Sequence, residues 1–236
     1  MSETNSLKLP LILAAQAQKH VTVNEALGRL DGMVQLRIVS QTTATPPSNV
    51  IDGAVYAVPA GASGTWAGQD GRLALGQNGG WVYTDPQDGW QGWDIETACP
   101  LVYRNGGWAS AVVSHSANGA SAGFRTITFD HDVGSAEVST TNEVIPANAM
   151  IFAVSARVLS PLTGSASSWR LGDPGQDDRF GAGMGLAQGS YATGILGTPM
   201  TVYADTPIVV SASGGAFTGG SLRIAAHVFE ISLPHV

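Results

Sequence analysis

The chain has 236 residues, room for one large or two small domains, and combines 44% hydrophobic with only 12% charged residues. That balance is the reverse of a disordered chain's and gives about half the usual charged share of a soluble domain. A net charge of −7, with lysine only at positions 8 and 19, leaves no basic patch for phosphates or an anionic membrane surface, so neither nucleic acid nor membrane insertion is expected.

The longest apolar run, Leu9 to Ala15, falls well short of the ~20 residues of a membrane span. It has no basic lead beyond Lys8 and no convincing small-residue cleavage site, so it does not read as a signal peptide. Synthesis in the cytoplasm, and departure as part of a particle, is the expectation. Thr22-Val-Asn-Glu25 has the form of a capping box, which predicts a helix starting there. Val23, Leu27, Leu30 and Val34 then fall at spacings of four, three and four, a single apolar stripe. The stripe either packs on its own domain or forms an oligomer seam. The apolar lead from Leu7 to Ala17, which has no obvious internal partner, speaks for the seam.

Composition divides the chain into an N-terminal segment and helix (residues 1–39), a small Trp- and Gly-rich β module (50–108) and a C-terminal β domain (124–236). The first join, residues 40–49, carries Pro46-Pro47; the second, 110–123, is a Ser/Ala/Gly/Asn-rich hinge. In the module, Asn78-Gly-Gly-Trp81 recurs as Asn105-Gly-Gly-Trp108, and Asn-Gly between strand-like runs signals a hairpin turn. Strands are expected at 54–58, 73–75, 81–83, 93–95 and 101–103, giving a hairpin-rich sheet or small open barrel.

The C-terminal domain predicts strands at 124–129, 151–159, 201–203, 208–212 and 222–231, with turns at 146–148, 172–175 and 213–215. The last strand is long and strongly β-compatible and suits a central position. The fold class expected is mainly β: an N-terminal helix, the hairpin module, and an antiparallel, jelly-roll-like sandwich of about eight strands.

Five of the six tryptophans, Trp66, Trp81, Trp90, Trp93 and Trp108, lie in the module. Exposed indoles stack on sugar faces while nearby carboxylates such as Asp85 and Asp88 bond the hydroxyls; the same tryptophans equally serve as the core of a module poor in aliphatic residues. Asp173, Asp177 and Asp178 hint at Ca²⁺ but miss the EF-hand spacing, and Arg170 and Arg179 beside them favour a salt-bridged turn. Asp130-His131-Asp132 reads as a polar loop, and Gly181-Ala-Gly-Met-Gly185 as a glycine-rich turn without the dinucleotide pattern. The five histidines show no His-x-x-x-His pairing and there is no Gly-x-Ser-x-Gly elbow, so no catalytic residue, metal site or cofactor is expected; the catalytic alternative to glycan recognition is a capsule depolymerase using carboxylates brought together in space. Cys99 is expected as a small buried hydrophobe, and His227 as a core or interface histidine.

The run Leu11-Ile-Leu-Ala-Ala-Gln-Ala-Gln-Lys-His20, followed by Val23-Asn-Glu-Ala-Leu27, Asp52-Gly-Ala-Val-Tyr56, Gly64-Thr-Trp-Ala-Gly68, Gly79-Gly-Trp81 and Pro86-Gln-Asp-Gly-Trp90, resembles a phage-type domain family. That family occurs in tail-fibre and spike-like proteins of prophages and gene transfer agents in alphaproteobacteria, and the resemblance covers roughly residues 9–108. The C-terminal half is similar to phage-fibre modules through Asp178-Arg-Phe-Gly181 and Phe217-Thr-Gly-Gly220. The resemblance implies a virion surface appendage rather than an enzyme: a homo-oligomer, by default a trimer. Its N-terminal segment would hold other particle proteins, and its outer domain would bind host surface polysaccharide. The structural alternative to glycan recognition is a baseplate or capsid decoration role alone.

Overall fold

The computed structural model describes residues 3–12, 19–110 and 112–234. The chain is mainly β and forms two units, residues 1–112 and 113–236.

Unit 1 contains helix α1 (Lys19–Met33) and strands β1 (Arg37–Ile38), β2 (Val55–Ala57), β3 (Leu73–Gln77), β4 (Gly80–Thr84), β5 (Gln91–Asp94), β6 (Cys99–Arg104) and β7 (Gly107–Ser110). They make one sheet in the order β4-β3-β2-β1-β5-β6-β7. The central β1 runs parallel to both β2 and β5, and an antiparallel hairpin closes each flank. The two Asn-Gly echoes are those hairpin turns. Asn78 and Gly79 have φ of 53° and 72°, Asn105 and Gly106 of 49° and 79°, the doubly positive pair that matches the twist of two-residue hairpins. Leu73 and Val55 from one flank and Leu101 from the other share a core with Leu36 and Ile38, so the sheet curls around a common interior.

Because β1 is the middle strand, residues 19–39 are built into this unit rather than standing apart from the 50–108 module. A two-residue strand has no periodicity to read, which is why the sequence places a boundary there. The helix also begins earlier than its capping box predicts. Thr22 lies in the first turn of α1, since an interior threonine costs only ~0.5 kcal/mol and cannot stop a helix.

Unit 2 contains β8 (Ser114–His115), β9 (Ser121–Asp132), β10 (Val138–Ile145), β11 (Met150–Gly164), β12 (Ser168–Asp173), β13 (Gln176–Met184), β14 (Tyr191–Ala192), β15 (Ile195–Thr201), β16 (Thr206–Ser213) and β17 (Phe217–Ser232). One sheet has the order β10-β16-β12-β13; the other is β14-β11-β17-β9-β8, with β15 also on β11. The chain passes from one sheet to the other after β9, β10, β11, β13, β15 and β16, the repeated crossing of a jelly roll. Trp169, Leu171, Ile208, Phe217, Leu222 and Ile224 fill the space between the sheets. The long run at 222–231 is the interior strand β17, flanked by β11 and β9.

Four readings change in unit 2, the first being Asp130-His131-Asp132, which is not a loop but the end of β9, paired with β17. The residues read as a hinge supply β8 and the start of β9, which pair at Ser114–Ala122. The glycine-rich 181–185 segment is not a turn. Most of it belongs to β13, with register shifts against β12 at Leu171–Gly181, as glycine in a strand often marks a bulge. The strand expected at 201–203 ends at Thr201, and Tyr203 stands exposed in the following turn.

Candidate functional site

Side chains alternate across a strand, so pairing fixes which face each candidate occupies. On the inner face of the unit 1 sheet, Trp90, Cys99 and Trp108 pack against the Leu36–Leu101 core. On the outer face, a short 3₁₀ turn (Gly64–Trp66) folds a second, smaller core of Val58, Trp66 and Ala74 over Tyr56, Trp81 and Tyr83. Trp66 is fully buried, with ring centroids 5.2 Å from Tyr56 and 5.1 Å from Trp81. It is a core residue and not a surface indole, which corrects its place among the glycan candidates.

The remaining candidates are scattered over both faces. Trp81 is half-buried and lines a hollow of about 630 Å³ with Pro46, Pro47 and Tyr83. Asp85 is committed to Arg72 at 2.8 Å, and Asp88 is exposed. Trp93 is exposed on β5, opposite Arg37 and Pro100. Trp108 meets Tyr103 edge-on at 5.2 Å, beside a hollow of about 390 Å³ that also contains Gln41, Pro59 and Asp70. The Gln41 amide is bonded to Asp94 and the Asp70 carboxylate to the Gly61 amide, so both polar groups already have partners within the unit. No single platform gathers all seven residues.

The helix stripe has a clearer placement. α1 meets β3 through its glycine edge: a Cβ at Gly32 would sit 2.7 Å from a Leu75 methyl, and one at Gly28 2.4 Å from the Gln77 amide. Between them the buried Asp31 accepts from the Thr4 hydroxyl (2.6 Å) and the amides of Ser6 (2.7 Å) and Leu7 (2.5 Å), and Asn24 bonds the backbone of Ile12. Burial pushes the Asp31 carboxyl up, but these donors outweigh it and hold it below its ordinary value. With glycines turned inward, the stripe faces out: Val23, Leu30 and Val34 are 38%, 46% and 43% exposed, and Leu27 is half-buried. Part of the apolar lead, residues 13–18, lies outside the described residues.

In unit 2 the acidic cluster is a salt-bridged turn. Asp173 is bound by Arg179 and by the amides of Gly175 and Gln176; Asp177 meets Arg170 at 2.9 Å, and Asp178 accepts from Gln176. Among the described residues no cluster has the makings of a metal site. Asp130 is held below its ordinary pKa by the two-pronged hydrogen bond from Arg223, at 2.7 and 2.8 Å. His227 lies on the open sheet face with Nε2 3.2 Å from the Ser155 hydroxyl and Nδ1 3.4 Å from that of Thr126.

Sequence reasoning missed the aromatic cluster on the same face. Phe124, 58% exposed, touches Phe152 at 5.5 Å and Phe229 at 5.3 Å. The signal was faint: of the outward positions of β9 only Phe124 carries a large apolar side chain, and on β17 Phe229 and Ile231 share the face with Arg223 and His227.

Residues 23–109, inside unit 1, match a family described as "Protein of unknown function (DUF2793)". No curated protein matches the chain. Among solved structures it is similar to a chain of the cyanophage Pam1 capsid asymmetric unit, at 21% identity and a TM-score of 0.32, over 50% of this chain and 91% of that one.

Proposed function

We propose that the protein is a structural and receptor-recognition component of a phage-like particle or gene transfer agent, a tail fibre or head spike displayed on the particle surface. It self-associates, is held to other particle proteins through its N-terminal segment, and binds host surface polysaccharide without cleaving it. One observation carries this reading: the apolar stripe of α1 faces solvent because glycines occupy the packed edge of the helix. A helix that spends its glycines on its own sheet and presents valine and leucine outward is arranged to meet a partner. The resemblance of residues 9–108 to phage fibre and spike domains supports it. No described helix is long and apolar enough to cross a membrane. Weak single glycan sites would gain strength from several copies acting together.

The burial of Trp66 and the division of the tryptophans between two faces favour a second reading, a baseplate or capsid decoration protein without a glycan site. Light scattering on the purified chain, combined with pull-down on capsular polysaccharide from a candidate host, separates the readings. An oligomer that binds supports attachment, and an oligomer that does not bind leaves the decoration role. Release of reducing ends would replace both with a depolymerase, and a monomer that binds nothing would sink the proposal.

A further inference from the structure

We infer that the outer face of the β11-β17-β9 sheet in unit 2 is a second self-association surface, on which copies of this chain pack side by side with their strands parallel around a common axis. This rests on the self-associating role proposed above but uses a different surface from the helix stripe. Register lays the face out in rows. At one end Phe124 and Phe229 are cross-strand partners, joined by Phe152 and followed by Ile231, 67% exposed. The next row holds Thr126, His227, Ala153 and the exposed Ile195. Small neutral residues follow, Thr128, Ala225 and Ser155, and then a charged row of Asp130, Arg223, Arg157 and Tyr191. The other sheet covers the inward side of these strands; among the described residues no third sheet is stacked on this one.

The occupant follows from the pattern. Asp130 and Asp132 stand on β9, at one side of the face, and Arg157 stands on β11, at the other. Arg157 lies directly opposite Arg223, a like-charge pairing that is unfavourable unless something compensates it. Arg157 rests on the Tyr191 ring at 5.5 Å, and neither it nor Asp132 forms an ion pair with a described residue. A neighbouring copy running parallel sets its β9 side beside this β11 side. Phenylalanine then meets phenylalanine at one level, and a carboxylate meets Arg157 at the other. An antiparallel two-fold partner would instead put the phenylalanines against the charged row. Three strands at ~4.8 Å and ~12 residues at ~3.4 Å give a face of roughly 600 Å². Divided between two neighbours, it makes each single contact smaller than a standard interface of ~800 Å² per partner, so the assembly depends on all of them forming together. The contact is heterologous, so it forms a ring if the rotation between copies closes and a growing filament if it does not.

The test is the mass of the full chain in solution, with thermal melting to confirm folding. The wild type is expected well above one 24.3 kDa chain. Phe124→Asp, at an already exposed position, should lower the assembled mass while melting normally, any remaining association being that of the helix seam. Arg157→Asp and Asp132→Arg should each weaken assembly, and the double exchange should restore it. Leu30→Asp separates the two surfaces: loss of assembly with Leu30→Asp but not with Phe124→Asp, or a restored mass missing from the double exchange, overturns this inference and leaves the helix seam standing. A wild type that stays monomeric at all concentrations overturns both, and marks the face as belonging to another particle protein.

Discussion

Asp31→Asn isolates the tether that holds the N-terminal segment beside the helix stripe. The substitution preserves size, but it removes the charge from two hydrogen bonds and turns an amide donor toward the Ser6 N–H. Hydrogen bonds to a charged acceptor contribute about 1.5–3 kcal/mol each, and three meet at Asp31. Their full sum is not lost, because a detached segment regains water. A loss of about 2–4 kcal/mol in docking is therefore expected, which lowers the hydrogen-exchange protection of the Ser6 and Leu7 amides by roughly 30- to 1000-fold. Acid provides a second readout. A carboxyl held below its ordinary value contributes fully above that value, and the contribution is lost as pH falls through the lower folded value. Wild-type protection should thus persist at pH 5 and collapse only below the usual carboxylate range, and Asp31→Asn should show no such acid step. Equal protection of both amides in the variant and the wild type would refute the tether.

Five further substitutions test the packing. Gly194→Ala places a Cβ 1.9 Å from the Val154 carbonyl at a φ of +55°; strain and overpacking together cost about 3–4 kcal/mol and should lower the melting temperature of unit 2 by about 10 °C or more. Arg179→Ala leaves the buried Asp173 with only two amide donors and should destabilise unit 2 by about 2–3 kcal/mol in urea unfolding, whereas Arg223→Ala, on an exposed pair, should leave the midpoint unchanged. Trp66→Ala removes a fully enclosed indole and should cost about 3–5 kcal/mol, while Trp93→Ala should melt like the wild type and, if unit 1 touches glycan there, lose retention on polysaccharide.

The sequence reveals most where local chemistry is decisive. Both Asn-Gly turns are legible because two successive positive φ angles demand those residues, and β17 is legible from its unbroken apolar run. β10 was missed: its burial alternates irregularly, with a register shift between Thr140 and Val144. β13 was missed because its glycines, which permit close backbone approach, imitate a turn. The face of α1 that packs is the least legible feature. A periodic apolar stripe ordinarily faces a protein's own core, and only the side chains of β3, Leu75 and Gln77, reveal that Gly28 and Gly32 occupy the inside. For the tryptophans, spacing shows clustering along the chain but not face. Sheet pairing then divides them between two cores and a surface.

A heterologous contact either closes or grows, and this distinction gives the sheet-face association its sharpest consequence. With the acidic column on one side of the face and Arg157 on the other, each copy carries both halves of the contact and can always recruit another. An open array would therefore gain mass steadily with concentration and end in fibres. A closed ring satisfies every Phe124 and every Arg157 at once, so its mass should hold constant across at least a tenfold dilution and then drop to the single chain without intermediates. The low charge of the chain makes the alternative costly: with 12% charged residues little repulsion opposes runaway growth of an exposed aromatic face. Sedimentation velocity over that dilution series decides the matter. One discrete species supports closure, and a broad distribution that shifts with concentration rejects it.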